Sequence, residues 1–111
     1  MPDNAKIKIG TGDDLEIHHN GSHSVIADVG TGNLQLRCAD FRVTNADNTE
    51  TMITGAVNGA VSLYYDDSAK IATSSAGVSV TGTVTATPTA ILLIKNSSGS
   101  TLKTINGIAA T

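Results

Sequence analysis

The fold of this 111-residue chain is decided close to its beginning, where residues 9–22 read IGTGDDLEIHHNGS. Leu15 and Ile17 flank Glu16, and turn-forming residues precede and follow them. Alternation with a period of two is typical of a half-buried β-strand, because successive side chains point to opposite faces of a sheet. The Asn20-Gly21 pair tolerates the backbone angles of a sharp turn. The stretch therefore predicts a turn, a short strand and a second turn.

The same alternation recurs at short intervals along the chain. It includes Ile7 and Ile9; Leu34, Leu36 and Cys38; Val61, Leu63 and Tyr65; and Val78 and Val80. Thr, Val and Ile together supply 33 residues, and these stiff β-branched side chains pack well on pleated surfaces. No window of about ten residues has helical apolar spacing without an interrupting Gly, Asn or Pro. The pattern predicts an all-β chain with strands of about four to six residues and almost no helix.

A short internal repeat links two of these segments. Residues 10–17, GTGDDLEI, return as residues 30–36, GTGNLQL, with one residue fewer before the leucine. A spacing of about 20 residues is typical of β-helix rungs, but a single-chain solenoid needs at least about three copies to bury a continuous core. Two copies favour rungs completed by other chains, with Leu34, Leu36 and Cys38 facing inward. Because Asn-Gly pairs serve both in hairpins and at corners between rungs, a hairpin stack stays open as an alternative.

The composition supplies little material for a hydrophobic core. Gly, Ser, Thr and Asn account for 44 residues, whereas Val, Ile, Leu, Met, Phe and Tyr account for only 30. The chain has two Tyr, one Phe and no Trp, so it lacks the side chains that bury the most area. Identical copies can pool apolar faces that one copy cannot cover. We therefore expect an oligomer without an enclosed enzyme pocket.

Charge, hydropathy and cysteine content argue against several classes of function. The net charge is −3 and no two basic residues are adjacent, whereas a nucleic-acid surface needs clustered cations. The longest apolar run, residues 90–94, is far shorter than the roughly 20 residues of a spanning helix, and the first residues open no secretory signal. The single cysteine, Cys38, rules out an intrachain disulfide scaffold. We expect a soluble protein with no nucleic-acid partner and no membrane insertion.

Three regions are predicted along the chain. Residues 1–80 form a shaft of strands joined by Gly-rich turns. Residues 81–89 form a Thr-rich connector, because Pro88 removes a ladder donor there. Residues 90–111 form a C-terminal β-hairpin, with strands at 91–95 and 102–105, followed by a small-residue tail at 107–111.

Several of these segments resemble tail-fibre and spike-type structural proteins of bacteriophages, particularly of marine phages. The resemblance covers about residues 5–85 and is carried by residues 9–22, Ser24, Ile26, and the runs GNLQL (32–36), NGAVSLYYDDSAK (58–70) and GVSVTGTV (77–84). This chain departs from the pattern at His19 and His23, where Tyr or Asn-like residues are expected. The resemblance implies a fibrous virion protein in which three chains intertwine as a β-helix.

Three histidines are the candidates for metal binding. In a trimer, His18, His19 and His23 could each bring three imidazoles to one axis, and neutral imidazole binds transition metals well. However, adjacent strand residues face opposite sides of a sheet, and no thiol or carboxylate pattern completes a set of four ligands. Surface or turn histidines, without a metal, are the favoured interpretation.

Glycan contact is the other candidate chemistry. Tyr64, Tyr65, Asp66 and Asp67 combine aromatic faces with carboxylates. Glu16 and Glu50 are the only glutamates, and the acid–base pair of a glycosidase has no evident position. The Gly10–Leu15 run misses the spacing of a calcium-binding β-roll by one residue and lacks the helix that a phosphate loop requires. Strand and turn are therefore the favoured interpretations of these residues.

These observations predict a non-enzymatic, all-β homotrimer, built as an intertwined triple-stranded β-helix or a β-prism, with no cofactor. It would form a tail-fibre shaft or knob of a phage virion assembled in the host cytoplasm, with other virion proteins and a host-surface glycan as candidate partners. A capsid-decorating fibre or cement protein, and a glycan-binding or glycan-cleaving tailspike module, are the alternatives. The residues expected in the trimer core are Ile7, Ile9, Leu15, Ile17, Leu34, Leu36, Cys38, Val61, Leu63, Val78 and Val80.

Overall fold

The computed structural model of the chain describes residues 1–85 and 95–100, and the backbone of residues 91–94 and 101–106. This described part contains strands, turns and irregular segments, and it contains no helix. The strands are β1 (Lys6–Ile9), β2 (Leu15–His19), β3 (Ser24–Asp28), β4 (Asp40–Thr44), β5 (Thr51–Ala56), β6 (Val61–Tyr65), β7 (Ser68–Ser74), β8 (Gly77–Val80), β9 (Ile91–Lys95) and β10 (Thr101–Asn106). The predicted all-β class is confirmed.

The chain divides into two compact units, Met1–Cys38 and Ala39–Thr111. In the first unit, β1, β2 and β3 form an antiparallel three-stranded sheet in sequence order. The turn between β2 and β3 is held by the Asn20 side chain, whose Oδ1 accepts hydrogen bonds from the backbone N–H groups of Ser22 and His23 at 3.0 and 2.8 Å. The Asn-Gly turn predicted from the sequence is therefore present.

The second unit contains a five-stranded sheet in the order β4-β5-β6-β7-β8. All four pairings are antiparallel and join strands that are neighbours in sequence, so this sheet is a meander. The turns between β4 and β7 contain Asn, Asp or Gly, and Asn48, Asn58, Asp66 and Asp67 adopt positive φ angles in them. Residues with short polar side chains tolerate this conformation better than others.

The end of the chain contains a separate two-stranded antiparallel sheet, β9 with β10. The predicted C-terminal hairpin is therefore present. The predicted connector lies partly outside the described residues, because residues 86–90 are not described, and its first part, residues 81–85, forms no strand. The predicted tail at 107–111 also lies outside them.

One predicted strand was wrong. Residues 33–38 are irregular, although Leu34, Leu36 and Cys38 alternate with polar residues. The turn before them packs tightly on Asp14, the residue that precedes β2, since a Cβ at Gly30 would lie 2.7 Å from Asp14 Oδ1. Beyond it, Leu34 lines a shallow depression with Ile9 and Leu15, at the end of the sheet.

The two copies of the internal repeat differ in whether neighbouring strands pair with them. The first copy continues into β2, which has β1 and β3 as hydrogen-bonding neighbours on its two sides. The second copy is followed by a segment that crosses the end of the sheet and has no strand beside it. A strand needs a ladder partner for its backbone groups. The local pattern is the same in both copies, but only the first copy leads into a strand that pairs with neighbouring strands.

No apolar side chain is buried within the described residues. The only buried residues there are polar, Glu16 and Ser62, each 8% exposed. An ordinary domain keeps its larger apolar side chains inside, where their burial drives folding. Each unit of this chain therefore forms hydrogen-bonded sheets whose described side chains enclose no hydrophobic core.

Candidate functional site

The five-stranded sheet carries a continuous apolar face. Its central row crosses all the strands of the sheet in direct register and consists of Val43, Ile53, Leu63, Ile71 and Val80. A second row lies two residues away on the same face, where Phe41 opposes Gly55, Gly55 opposes Val61, and Thr73 opposes Val78. Neither row contains a charged residue. We refer to these two rows together as the prism face.

The prism face is open to solvent in the single chain. Leu63, on the middle strand, is 44% exposed, and Val78 is 65% exposed. Phe41, Val61, Ile71 and Val80 are also exposed, while Val43 and Ile53 are half-buried. Large contiguous apolar patches are uncommon on monomeric proteins, and they commonly mark binding surfaces.

Most side chains on the opposite face of the same sheet are small or polar. Arg42, Thr54, Ser62, Ala72 and Ser79 lie directly across from one another there. These side chains are polar or small, so this face is compatible with solvent, although Ser62 at its centre is buried in the single chain. The sheet is therefore amphipathic, with one face suited to burial and one suited to water.

The three-stranded sheet also has an apolar face, which is smaller. Ile7, Ile17 and Ile26 form a cross-strand row, and Ile9 opposes Leu15. Ile17 is 37% exposed and Ile26 is 60% exposed. Asp28 opposes Leu15 at the end of this face, so a carboxylate borders it.

The other face of the three-stranded sheet carries an ion-pair cluster. Lys6 Nζ lies 2.7 Å from Glu16 Oε2, and Lys8 Nζ lies 3.1 Å from Asp13 Oδ2 and 3.8 Å from Glu16 Oε1. The hydrogen bond from Lys6 holds the pKa of the Glu16 carboxyl below its ordinary value, and the nearby positive charges act in the same direction. The hydrogen bond to Asp13 raises the pKa of Lys8. The ion pair with Lys6 thus provides a charged partner for Glu16, the one buried carboxylate of this sheet.

The structure separates the three histidines. His18 and His19 point to opposite faces of β2, as the alternation predicts, and His23 lies in the turn that follows. His18 is half-buried, and its Nδ1 is shielded from solvent without a hydrogen-bond partner. His19 Nδ1 lies 3.3 Å from Ser24 Oγ. Among the described residues, no three His, Cys, Asp or Glu side chains are grouped closely enough to hold a metal ion.

The four residues considered for glycan contact do not form one surface. Tyr64 is half-buried, whereas Tyr65, on the other face of β6, is 74% exposed. Asp66 and Asp67 form the turn after β6. The Asp67 carboxylate accepts a hydrogen bond of 2.8 Å from the backbone N–H of Thr51, which ties this turn to the start of β5. Tyr64 instead lines a shallow depression with Asp40 and Arg42.

The sequence analysis identified part of the apolar surface and missed the rest. Of the residues expected in the trimer core, Ile7, Ile9, Leu15 and Ile17 share one face of the first sheet, and Val61, Leu63, Val78 and Val80 lie on the prism face. Leu34, Leu36 and Cys38 lie outside any strand and are exposed in the single chain. Whether these residues form a trimer core stays a prediction.

The residues that were missed are Phe41, Val43, Ile53 and Ile71 on the prism face and Ile26 in the first sheet. Ile53 directly follows Met52 and precedes Thr and Gly, and Ile71 stands among Ala, Lys and Thr, so no alternation of large apolar residues marks either position. Phe41 and Val43 alternate about Arg42 as Val78 and Val80 alternate about Ser79, so this signal was present in the sequence and was overlooked. Their shared face becomes evident only from the register of the strands.

No protein family, curated protein or solved structure matches this chain. Within the part of the chain that the structure describes, no helix is long and apolar enough to cross a membrane.

Proposed function

We propose that this chain is a structural subunit of a bacteriophage virion and that three copies of it form a β-structured fibre or spike segment, such as a tail-fibre shaft or knob. The observation that carries the proposal is the pair of amphipathic sheets whose apolar faces no residue of the described chain buries. Copies of the same chain are a source of matching apolar surface, because each copy presents the same faces. Association would supply the hydrophobic burial that one copy lacks.

The resemblance to phage fibre proteins agrees with this arrangement. Of the segments that carry it, residues 32–36 form no strand, whereas residues 9–22, 58–70 and 77–84 contain β2, β6 with the start of β7, and β8. These segments contribute to both amphipathic sheets. A role in virion assembly, with other virion proteins as partners, follows from the resemblance and forms part of the proposal.

A structural role also suits the residues that first suggested binding chemistry. Asp67 holds the β6–β7 turn to β5, and Glu16 is paired with Lys6. Each of these carboxylates is occupied in an interaction that maintains a sheet. We therefore propose a non-enzymatic protein, with neither residue acting as a general acid or base.

Glycan contact is the second candidate function, and one observation favours it. Tyr64 and Arg42 flank a shallow depression over the small residues Thr54 and Ala56 on the polar face of the five-stranded sheet, with Asp40 at its border. An aromatic ring beside charged groups can contact a sugar. Titration of the protein with acidic and neutral oligosaccharides, followed by NMR, tests this candidate, and shifts confined to these residues would support it.

The assembly state and the virion role need separate experiments. Since one chain has a mass of 11.3 kDa, three give about 34 kDa, which sedimentation equilibrium of the full chain would measure. A monomer at concentrations of tens of micromolar would contradict the proposal. Gold labelling of purified particles from a phage that encodes the chain should mark the tail or another fibre, and absence of the chain from those particles would refute the virion role.

A further inference from the structure

We infer that the turn between β2 and β3 is a self-modification site, at which the backbone nitrogen of Gly21 attacks the side-chain carboxamide of Asn20 and converts this residue to aspartate or isoaspartate. The folded turn favours this deamidation at Asn20 over the same reaction at Asn58, which a glycine also follows. The change is covalent and occurs within one chain, so it depends neither on the proposed virion role nor on the assembly state.

The reaction consumes only water. The Gly21 nitrogen gives its proton to a base in solution and forms a bond to Cγ of Asn20, and the side-chain nitrogen takes up a proton from water and leaves as ammonia. The product is a succinimide ring, which water then opens at either of its two carbonyl groups. One opening gives an aspartate in the ordinary backbone, and the other gives isoaspartate, whose main chain runs through the former side chain. Each event adds one negative charge to a chain whose formal charge is −3.

The first argument is the position of the Asn20 carboxamide. Its Oδ1 accepts hydrogen bonds from the backbone N–H of Ser22 at 3.0 Å and from that of His23 at 2.8 Å. The bond to Ser22 closes a small ring of atoms that includes the Gly21 nitrogen, so the side chain is folded back over the peptide bond with which it reacts. Holding two reacting groups together removes much of the entropic cost of their reaction.

The second argument is the charge that develops on the same oxygen. When the Gly21 nitrogen attacks Cγ, Oδ1 of Asn20 becomes negatively charged, and its two N–H partners already lie at the distances of an oxyanion hole. Hydrogen bonds to an oxygen strengthen as that oxygen gains charge. The turn therefore stabilises the transition state more than it stabilises the unreacted carboxamide, and this difference accelerates the reaction.

The third argument is the attacking nitrogen. Gly21 lies in the turn, outside the strands, and among the backbone hydrogen bonds of the described turns none is donated by its N–H. Its φ is 92°, a conformation that glycine adopts at little cost. Because glycine has no side chain, nothing on this residue hinders the approach of its nitrogen to Cγ of Asn20.

The turn between β5 and β6 contains the same two residues without these features. There the Gly59 N–H is donated to the Ala56 carbonyl oxygen at 3.1 Å, and this bond must break before the nitrogen can attack. Among the described Asn-Gly pairs, only Asn20 has an Oδ1 that accepts hydrogen bonds. Asn20 and Asn58 are both exposed, so water and base reach both turns. A third pair, residues 106–107, extends beyond the described part of the chain.

Peptide mapping of the folded full chain tests this inference, with Asn58 as the internal control. The chain is incubated in mildly alkaline buffer, and mass spectrometry of its peptides follows the small mass increase that accompanies replacement of NH2 by OH. Deamidation at Asn20 should be at least about fivefold faster than at Asn58, the ratio that one net hydrogen bond gives. In urea, where both turns are unfolded, the two rates should become similar, because both sites are Asn-Gly.

Equal rates in the folded chain, or a faster reaction at Asn58, would overturn the inference. A preference for Asn20 that persists in urea would also overturn it, since the local sequence would then be the cause. None of these outcomes bears on the homotrimer, which sedimentation tests separately.

A substitution tests the contribution of the hydrogen-bond donors. Ser22→Pro removes one of the two N–H groups that hold Asn20 Oδ1, so it should slow the reaction at Asn20 toward the rate at Asn58. An unchanged rate in the folded variant would contradict the role of these donors. Circular dichroism shows whether the variant folds, and if it does not, the wild-type rates in buffer and in urea decide.

Discussion

The three-stranded sheet of the first unit and the five-stranded sheet of the second both leave an apolar face uncovered, but they differ in the rest of their chemistry. The first sheet has Lys6, Lys8 and Glu16 on its opposite face, and Asp28 borders its apolar side. The second has an uncharged prism face, and behind it mostly small residues together with Arg42. The first sheet therefore combines an apolar face with charge pairing, whereas the second leaves an uncharged apolar face exposed in the single chain.

The largest expected effect is on the prism face. Leu63→Asp, at the centre of the row of five, should prevent assembly, because burying an unpaired charge costs several kcal/mol and the trimer repeats it three times. Ile17→Asp, in the smaller face of the first sheet, should weaken assembly less, since that face is already bordered by a carboxylate. Sedimentation of both variants measures the difference. An equal or larger effect from Ile17→Asp would show that the first sheet is the main interface.

Acid should affect the first sheet more than the second. The pKa of Glu16 is lowered in the folded chain by its hydrogen bond from Lys6, so its contribution to stability is present above the ordinary Glu pKa of about 4.3 and is lost as pH falls through the lower folded-state value. The protection of first-unit amides against exchange, relative to the intrinsic rate at each pH, should therefore fall between about pH 5 and pH 3.

Substitution of Glu16 measures its share of the acid response of the first unit. Glu16→Gln should remove that part of the acid dependence, and Glu50→Gln, at an exposed turn residue, serves as the control. If the Glu16→Gln variant kept the full acid response in the first unit, the ion pair would not be its cause.

A smaller effect is expected at the turn that braces β5. Asp67→Ala removes the acceptor for the Thr51 N–H and places alanine at a positive φ of 58°, so it should reduce the free energy of unfolding by about 1–2 kcal/mol. Asp67→Asn keeps an oxygen acceptor and tolerates that φ, so most of the stability should return. Urea unfolding of both variants provides the comparison, and equal losses would mean that the charge, rather than the hydrogen bond, matters.

The smallest effect is expected at His19. Its contact with Ser24 is exposed and 3.3 Å long. His19→Gln should therefore change the free energy of unfolding by no more than about 0.5 kcal/mol, as is usual for surface positions. A loss of several times that amount at neutral pH would show that the contact between His19 and Ser24 contributes more than an exposed contact ordinarily does.

The residues of the prism face illustrate how far local patterns reach. Val61 and Leu63, and Val78 and Val80, alternate with polar residues, so the sequence alone predicted that each pair shares a face of a strand. Ile53 and Ile71 carry no such mark, and they join the central row only because β5 and β7 lie on either side of β6 in a definite register. The sequence therefore predicted part of the candidate surface through its alternation, but it did not show the register that joins the strands.

The sequence by itself determined the all-β class, most of the strands, the Asn20-Gly21 turn and the C-terminal hairpin, because alternation and turn chemistry act over a few neighbouring residues. It did not determine which strands pair. Leu34, Leu36 and Cys38 alternate as regularly as the residues of β2, yet they form no strand, since the chain after Gly30 crosses the end of the sheet and finds no ladder partner. Pairing partners and register depend on where distant segments lie, and only the tertiary structure decides that.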